Sequence, residues 1–407
     1  MLICLLFIGL LPIDTINGIL LHNNIPLPIS VAQVYKSILL ILLVFKIAFR
    51  PRFLLYTLLV FCVLFIPSIY QIFKLKQISH LFPDVIKISR YLTIILSFYF
   101  FANYFQNNRG EKLIFKVIYI SYAVVVVNIL LKYLGLGYPM YPFNNIGSRG
   151  FFFAGNEISV LLLILSAIIG KQLWIQRRYI LYFIIGFLSI FTALTISSKT
   201  SMIGVGIIFL IIPLKRPSFK MINFKAILRY GLFIVILAPL VIISSWSFIK
   251  NSKIYERFAY FYEKHDFLTF IYSNRNTFFF EYFEIYEEDY NFLEKFIGIG
   301  QTAYEELSEM QTVEIDIIDI LFAQGILGVI IFTSLIAFVL LQSLKLSFSS
   351  TYNYANFTFL MCILLFAISN FTGHTFNSGM AGPFIGLTFA LMYIKPKSYL
   401  KNNVNVI

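Results

Sequence analysis

Apolar runs of 18 or more residues recur along the whole chain, and they limit the fold more than any other feature. Each is long enough to cross a bilayer as a helix. The runs are continuous rather than alternating, which excludes a β-barrel and leaves a bundle of helices as the spanning form. Composition agrees. Hydrophobic residues make up 59% of the 407, charged residues 13%, and mean hydropathy is +0.84. A soluble chain carries about a quarter charged residues.

The runs predict an all-α integral membrane protein with about twelve transmembrane helices, at 2–20, 30–49, 53–73, 88–105, 113–133, 156–170, 179–196, 200–214, 226–247, 317–341, 354–371 and 377–394. The first run lacks a basic start and a small-residue cleavage site, so it reads as a span and not a signal peptide. One long polar stretch, 248–316, interrupts the pattern and holds most of the chain's 19 acids, from Glu256 to Asp316. It also carries Lys250, Lys253, Arg257, Lys264, Arg275 and Lys295. The chain therefore divides into spans 1–9 (1–247), a large external loop between spans 9 and 10 (248–316), and spans 10–12 with a short tail (317–407). Within the loop, 255–270 and 277–292 read as amphipathic helices that lie on the membrane or cap a cavity.

The net charge of +13 does not point to nucleic acid. The basic residues sit mainly in short loops at 50–52, 109–112, 171–178, 215–225 and 395–401, the pattern that fixes topology with basic loops and both termini in the cytoplasm. One basic loop, 74–87, falls on the other side and opposes this assignment. The topology places 135–156, 197–201, 248–316 and 371–378 on the outer face together. Cys4, Cys62 and Cys362 all lie in apolar runs without a CxxC spacing and read as apolar residues.

Five stretches could carry chemistry. Arg149, followed by Gly150 and an aromatic run to Asn156 and Glu157, offers a permanent charge and a planar fork of donors suited to phosphate; it suits an interfacial anchor equally. Lys199 lies in a hydroxyl-rich turn, and by itself that stretch favours a plain turn. Arg275, in Ser273-Asn274-Arg275, sits among acids and fits a salt bridge better than a phosphate ligand. Glu314, Asp316 and Asp319 come where a span begins. Helical spacing puts Asp316 and Asp319 on one face and Glu314 off it. Asp319 lies about one turn into the membrane, where an ionisable group is costly and a functional reading is the default. A carboxylate of raised pKa there could act as general base, whereas acids complementing a helix dipole account for Glu314 and Asp316. His374, in an Asn/Thr/Ser-rich turn, fits a base, a substrate hydrogen-bonder or a structural histidine. No metal or nucleotide motif is present, so no metal and no cofactor are expected.

The order of these pieces resembles the O-antigen polymerase and O-antigen ligase superfamily, which includes the Wzy-type polymerases of capsular polysaccharides and exopolysaccharides. The resemblance runs from about Gly135 to the C-terminus. Arg149-Gly150-Phe151 with Gly155-Asn156 looks like the family's arginine–glycine–aromatic stretch ending in Pro-Asn, with glycine in place of proline. Ser198-Lys199 stands at its Ser-Arg turn, and Ser273-Asn274-Arg275 at its Ser-Gly-Arg. Gly298 and Gly300 form its Gly-x-Gly, and Gly325-Ile326-Leu327-Gly328 its Gly-x-x-Gly span start. Glu314-Ile315-Asp316 replaces the ligases' histidine and looks more like capsular polymerases. The resemblance implies a membrane-embedded, metal-independent glycosyltransferase of the C type at the outer face of a bacterial cytoplasmic membrane. It would join undecaprenyl-diphosphate-linked repeat units, with a flippase and a chain-length regulator of the same pathway as partners. Arg149, Arg275 and Lys199 would hold the diphosphate. Asp316, Glu314 or His374 would take the acceptor proton, with Asn156, Glu157 and Asp319 lining the site. A ligase and a lipid-linked oligosaccharide flippase are the alternatives. Few buried charges, no visible internal repeat and one long external segment count against the flippase.

Overall fold

In a computed structural model of the protein, the described residues are 2–213 and 266–395, except 26, 28, 77, 108–110, 143–144, 267–268, 270–271, 309–311, 350–351 and 372. They form α1 (Leu2–His22), α2 (Val31–Ala48), α3 (Pro51–Leu75), α4 (Leu81–Gln106), α5 (Glu111–Leu130), α6 (Gly155–Ile175), α7 (Tyr179–Ile196) and α8 (Lys199–Ile211). After the gap follow α9 (Arg275–Glu288), α10 (Phe292–Ile297), α11 (Gln301–Leu307), α12 (Asp316–Ser347), α13 (Ala355–Phe371) and α14 (Gly382–Ala390). Eight helices, α1 to α7 and α12, are long and apolar enough to cross a bilayer; α8, α13 and α14 are shorter apolar helices. The protein is a multi-pass helical membrane protein. The expected span 226–247 and most of the expected surface helix 255–270 lie outside the described residues, as do Lys250, Lys253, Arg257 and Lys264.

Local signals explain the ends. Ser30 and Gln33 form a reciprocal capping box at the start of α2, with bonds of 3.2 and 3.0 Å, and Pro51 occupies the first turn of α3, where its missing N–H costs nothing. Ser197 takes a left-handed φ of 64° to end α7. Ser198 then caps α8 by accepting from Ser201 N at 3.1 Å. Its hydroxyl also meets Ser159 of α6 at 2.7 Å, so the serine-rich turn knits three helices.

Two expectations about the late spans are corrected. The last span, expected from 377, begins only at Gly382, because 373–381 is an irregular loop packed into the bundle. Every residue of α14 is buried. Gly386 makes this possible, since a Cβ there would lie 2.4 Å from Ile94 O of α4; small residues let helix backbones approach closely in membranes. The Gly-x-x-Gly is also not a span start. It begins nine residues into α12, where Gly325 is non-helical (φ 63°, ψ −168°) and breaks the helix. Gly298 and Gly300, themselves at φ 87° and 88°, run against this break, and Gly300 N donates to Ala323 O at 2.8 Å. A Cβ at Gly298 would stand 2.3 Å from Ala323 O. Alanine at 298 would therefore suffer both the left-handed φ and a backbone clash. We expect Gly298→Ala to destabilise the protein by roughly 2–4 kcal/mol, read as a lower unfolding temperature in detergent. An unchanged temperature would refute the packing role.

The segment after the gap packs onto the bundle. Tyr282, Tyr286, Tyr290, Tyr304, Val313 and Phe322 form a second apolar cluster that seats α9 to α11 on the start of α12. Polar contacts then tie it to α3, to α4 and to the turn between them. Lys74 pairs with Glu294 at 2.5 Å, Lys87 with Glu305 at 2.7 Å and His80 with Glu306 at 3.1 Å. Buried Asp84 accepts from Thr302 N and Oγ1 at 2.7 and 2.6 Å and from Ser68 at 2.5 Å. The basic loop 74–87 that opposed the charge-based topology thus has a local cause: its cations neutralise acids of the 292–307 segment.

Candidate functional site

The loop 373–381 enters the bundle between two carboxylates from different helices. Asp316, fully buried at the first turn of α12, accepts from Thr375 N at 2.9 Å and Phe376 N at 2.7 Å through Oδ2. Its Oδ1 lies 3.2 Å from His374 Nδ1. Glu157, in the first turn of α6, accepts from Ser378 Oγ and, at 2.8 Å, from Met380 N. Charge-assisted bonds to backbone N–H groups are strong, so these two acids set the loop's shape and aim His374.

Asp319 lies one turn deeper, 1% exposed. Its Oδ1 accepts from Tyr304 Oη at 2.6 Å, and Oδ2 stands 3.5 Å from His374 Nδ1. Burial and then the Asp319 charge push the Tyr304 phenol pKa up, so it stays a donor. Asp316 and Asp319 therefore share the face that spacing predicts. Glu314 is off it, with a left-handed φ of 59°, and pairs with Arg275 Nη2 at 2.5 Å.

His374 keeps 23% of its side chain exposed. Burial opposes its charge, but the hydrogen bond to Asp316 and the charges of Asp319, Asp316 and Glu314 outweigh it, and the pKa is raised to about 9. At neutral pH this imidazole is a cation, a donor and not a proton acceptor. Folding thus stabilises its protonated form relative to an unfolded value near 6.5. That contribution is complete below about pH 6.5 and is lost as pH rises through about 9. We expect the unfolding temperature of the detergent-solubilised protein to fall between those values, and the fall to shrink in His374→Gln. A variant that keeps the full fall would contradict the assignment.

Arg275 leaves only 11% of its side chain exposed. It donates to Tyr272 O at 3.2 Å and lies against Gly373, whose Cβ position would be 3.2 Å from Nη2 and 3.6 Å from Asn156 Nδ2. Before it, Ser273 and Asn274 both take left-handed φ, 55° and 74°, a conformation asparagine tolerates well. Left-handed backbone at Glu314 and at the two residues before Arg275 is typical of sites that hold a fixed geometry. Lys199 joins the same group by donating to Ser273 Oγ at 3.0 Å. Arg275, Asn156, His374 and Lys199 are thus linked around Gly373 and Ser273, a donor-rich rim beside the accessible Glu314 carboxylate.

Arg149 stands apart. It donates to Phe153 O at 2.8 Å and its charge is felt by His22; among the described residues no hydrogen bond or ion pair joins it to Arg275, His374 or Glu314. Gly150 beside it is fixed by packing: it has φ 59° and a Cβ would lie 2.4 Å from Asn128 Oδ1. Among the described residues no group of three His, Cys, Asp or Glu side chains is placed to hold a metal ion.

No protein-family model matches the chain, and no curated protein matches it in sequence.

Sequence reasoning passed over several groups at this end of the bundle. Tyr304 carries no signal apart from its neighbours. Asp14, Lys36, Asp84 and Arg90 did carry one, as isolated charges inside or at the edge of apolar runs. Asp14 is buried and pairs with Lys36 at 2.7 Å. The scarcity of buried charge expected from the sequence is therefore corrected: Asp14, Asp84, Glu294, Asp316 and Asp319 are all at most 5% exposed.

Proposed function

We propose that the protein is a polysaccharide polymerase of the O-antigen polymerase and ligase superfamily, joining undecaprenyl-diphosphate-linked repeat units at the outer face of a bacterial cytoplasmic membrane. The observation that carries this reading is the gathering of Arg275, Asn156 and His374 at Gly373 and of Lys199 at Ser273, beside the part-exposed Glu314 carboxylate. The family's Ser-Gly-Arg also gains support, because Asn274 holds the left-handed conformation that a glycine would adopt there.

The groups divide the work as follows. An acceptor sugar hydroxyl attacks the anomeric carbon of the lipid-linked donor, the bond from that carbon to the diphosphate oxygen breaks, and undecaprenyl diphosphate leaves as an anion. Arg275, the His374 imidazolium and Lys199 are cationic donors suited to holding that anion, and fixed donors of this kind stabilise developing charge. The proton of the acceptor passes to Glu314. It is 40% exposed, whereas Asp316 has no exposure and both of its oxygens engaged. Asp316 and Glu157 act as positioning residues. In this reading Asp319 anchors His374, and Arg149 shapes the neighbouring loop.

A second reading, a flippase of lipid-linked oligosaccharides, is favoured by one observation: the charged Asp14, Lys36 and Arg90 within helices α1, α2 and α4. Deletion of the gene and gel analysis of the lipid-linked glycans separates the readings. Single repeat units on lipid at the outer face, with long polymer lost, is the expected result. Units trapped on the cytoplasmic side would establish the flippase, and normal polymer not passed to its final acceptor a ligase.

A further inference from the structure

Arg90 lies in α4, nine residues beyond Leu81 and therefore about 13 Å along the helix axis. An arginine at such depth in a span is costly unless it meets a counter-charge or a wet cavity. Among the described residues no carboxylate lies within ion-pair distance of it. Its guanidinium meets the Asn377 carbonyl at 3.4 Å, and Asn377 Oδ1 is itself buried without a hydrogen-bond partner. Lys36 of α2 reaches the same place. A Cβ at Gly379 would lie 3.7 Å from Lys36 Nζ and 3.9 Å from Arg90 Nε. Two cations from two helices thus close on one glycine of the loop 373–381, and the single carboxylate paired with them, Asp14, is bound to Lys36.

Like charges held this close repel, and the arrangement is stabilised by an anion between them. Gly379 places no side chain between the two cations, and an added Cβ would meet nothing closer than Lys36 Nζ at 3.7 Å. Both cations belong to membrane-spanning helices, α2 and α4, and an anion that reaches them from the bilayer carries a hydrocarbon chain.

We infer that Arg90 and Lys36 form an anion subsite for the phosphate of a lipid phosphate ester. Where the molecule is the donor of the proposed polymerase, the inference rests on that reading. The loop 373–381 then separates two sets of donors, with Arg275, Asn156 and His374 near Gly373 and Arg90 and Lys36 near Gly379. An ordinary anionic phospholipid offers the same phosphate chemistry, and the test distinguishes the two.

The test is binding of fluorescently labelled undecaprenyl diphosphate and of labelled phosphatidylglycerol to the purified full-length protein in a neutral detergent. Wild type is expected to bind the diphosphate, with competition by inorganic pyrophosphate. Arg90→Ala and Lys36→Ala should each weaken it about tenfold or more, Arg90→Lys less, and phosphatidylglycerol should bind all forms weakly and equally. Arg90-dependent binding of phosphatidylglycerol without diphosphate binding would keep the subsite and remove the donor reading. Wild-type affinity for both lipids in a well-folded Arg90→Ala would overturn the subsite and leave the polymerase reading standing. Should Arg90→Ala fail to fold, Arg90→Lys and pyrophosphate competition on wild type decide: no competition, with Arg90→Lys unchanged, overturns the proposal.

Discussion

Replacing Arg275 with alanine is expected to abolish long polymer while the protein still reaches the membrane. The folded state should tolerate the change. Arg275 is tied to Glu314, and that carboxylate is 40% exposed, so water resolvates it once the guanidinium is gone and no buried charge is left unpaired. What disappears is a fixed cation beside Gly373, with Nη2 3.2 Å from that glycine's Cβ position. Loss of one preorganised donor to a developing anion typically costs about 100- to 1,000-fold in rate. Arg275→Lys keeps the charge but loses the planar fork, and a partial loss with shorter chains is expected. Chain-length analysis by gel, together with quantification of the protein in membranes, checks both variants. Wild-type chain lengths in Arg275→Ala would remove the diphosphate role from this residue.

Substitution of Asp316 should act through the fold as well as through the chemistry. Its carboxylate has no exposure and receives Thr375 N, Phe376 N and His374. Alanine would leave two buried N–H groups without their acceptor and the His374 cation with only the more distant Asp319. Breaking a buried charge pair in this way costs about 3–5 kcal/mol, enough to consume much of the stability of an average domain. Asparagine fits the space and can accept one side of the arrangement, but its amide turns donors towards a protonated imidazole. We expect Asp316→Asn to lower the unfolding temperature, to flatten its change between pH 6.5 and 9, and to reduce polymer more than Glu157→Gln does. Glutamine at 157 retains a carbonyl oxygen for Ser378 and Met380, so its effect should be smaller. Equal unfolding temperatures and equal polymer in the two variants would leave the separate parts of the two acids without support. Loss of polymer in Asp316→Asn with an unchanged, still pH-dependent unfolding temperature would instead return Asp316 to the chemistry.

The sequence by itself determined the class of the protein. Apolar length and the absence of alternation are local properties, and they are enough to specify membrane helices, because a bilayer forces every backbone polar group to be satisfied within its own segment. The periodicity of 3.6 likewise placed Asp316 and Asp319 on one face before any contact was known. The glycine spacings were visible too, but not their purpose. Only the fold shows Gly298 and Gly300 lying against the break at Gly325.

Pairings across the chain were decided by tertiary structure alone. Lys74 meets Glu294, and Lys87 meets Glu305, across more than 200 residues of sequence; a charge count sees sign and not partner. The parts played by the three carboxylates could not be read either. Asp316, Asp319 and Glu314 are alike as residues, and they differ in what surrounds them: two backbone N–H groups, a tyrosine hydroxyl, and, for the part-exposed Glu314, an arginine. The same holds for Arg90, a lone charge in an apolar run until the fold set Lys36 and Gly379 beside it. Ionic and hydrogen-bond energies depend on distance and burial, and neither quantity is carried by the order of residues along a chain.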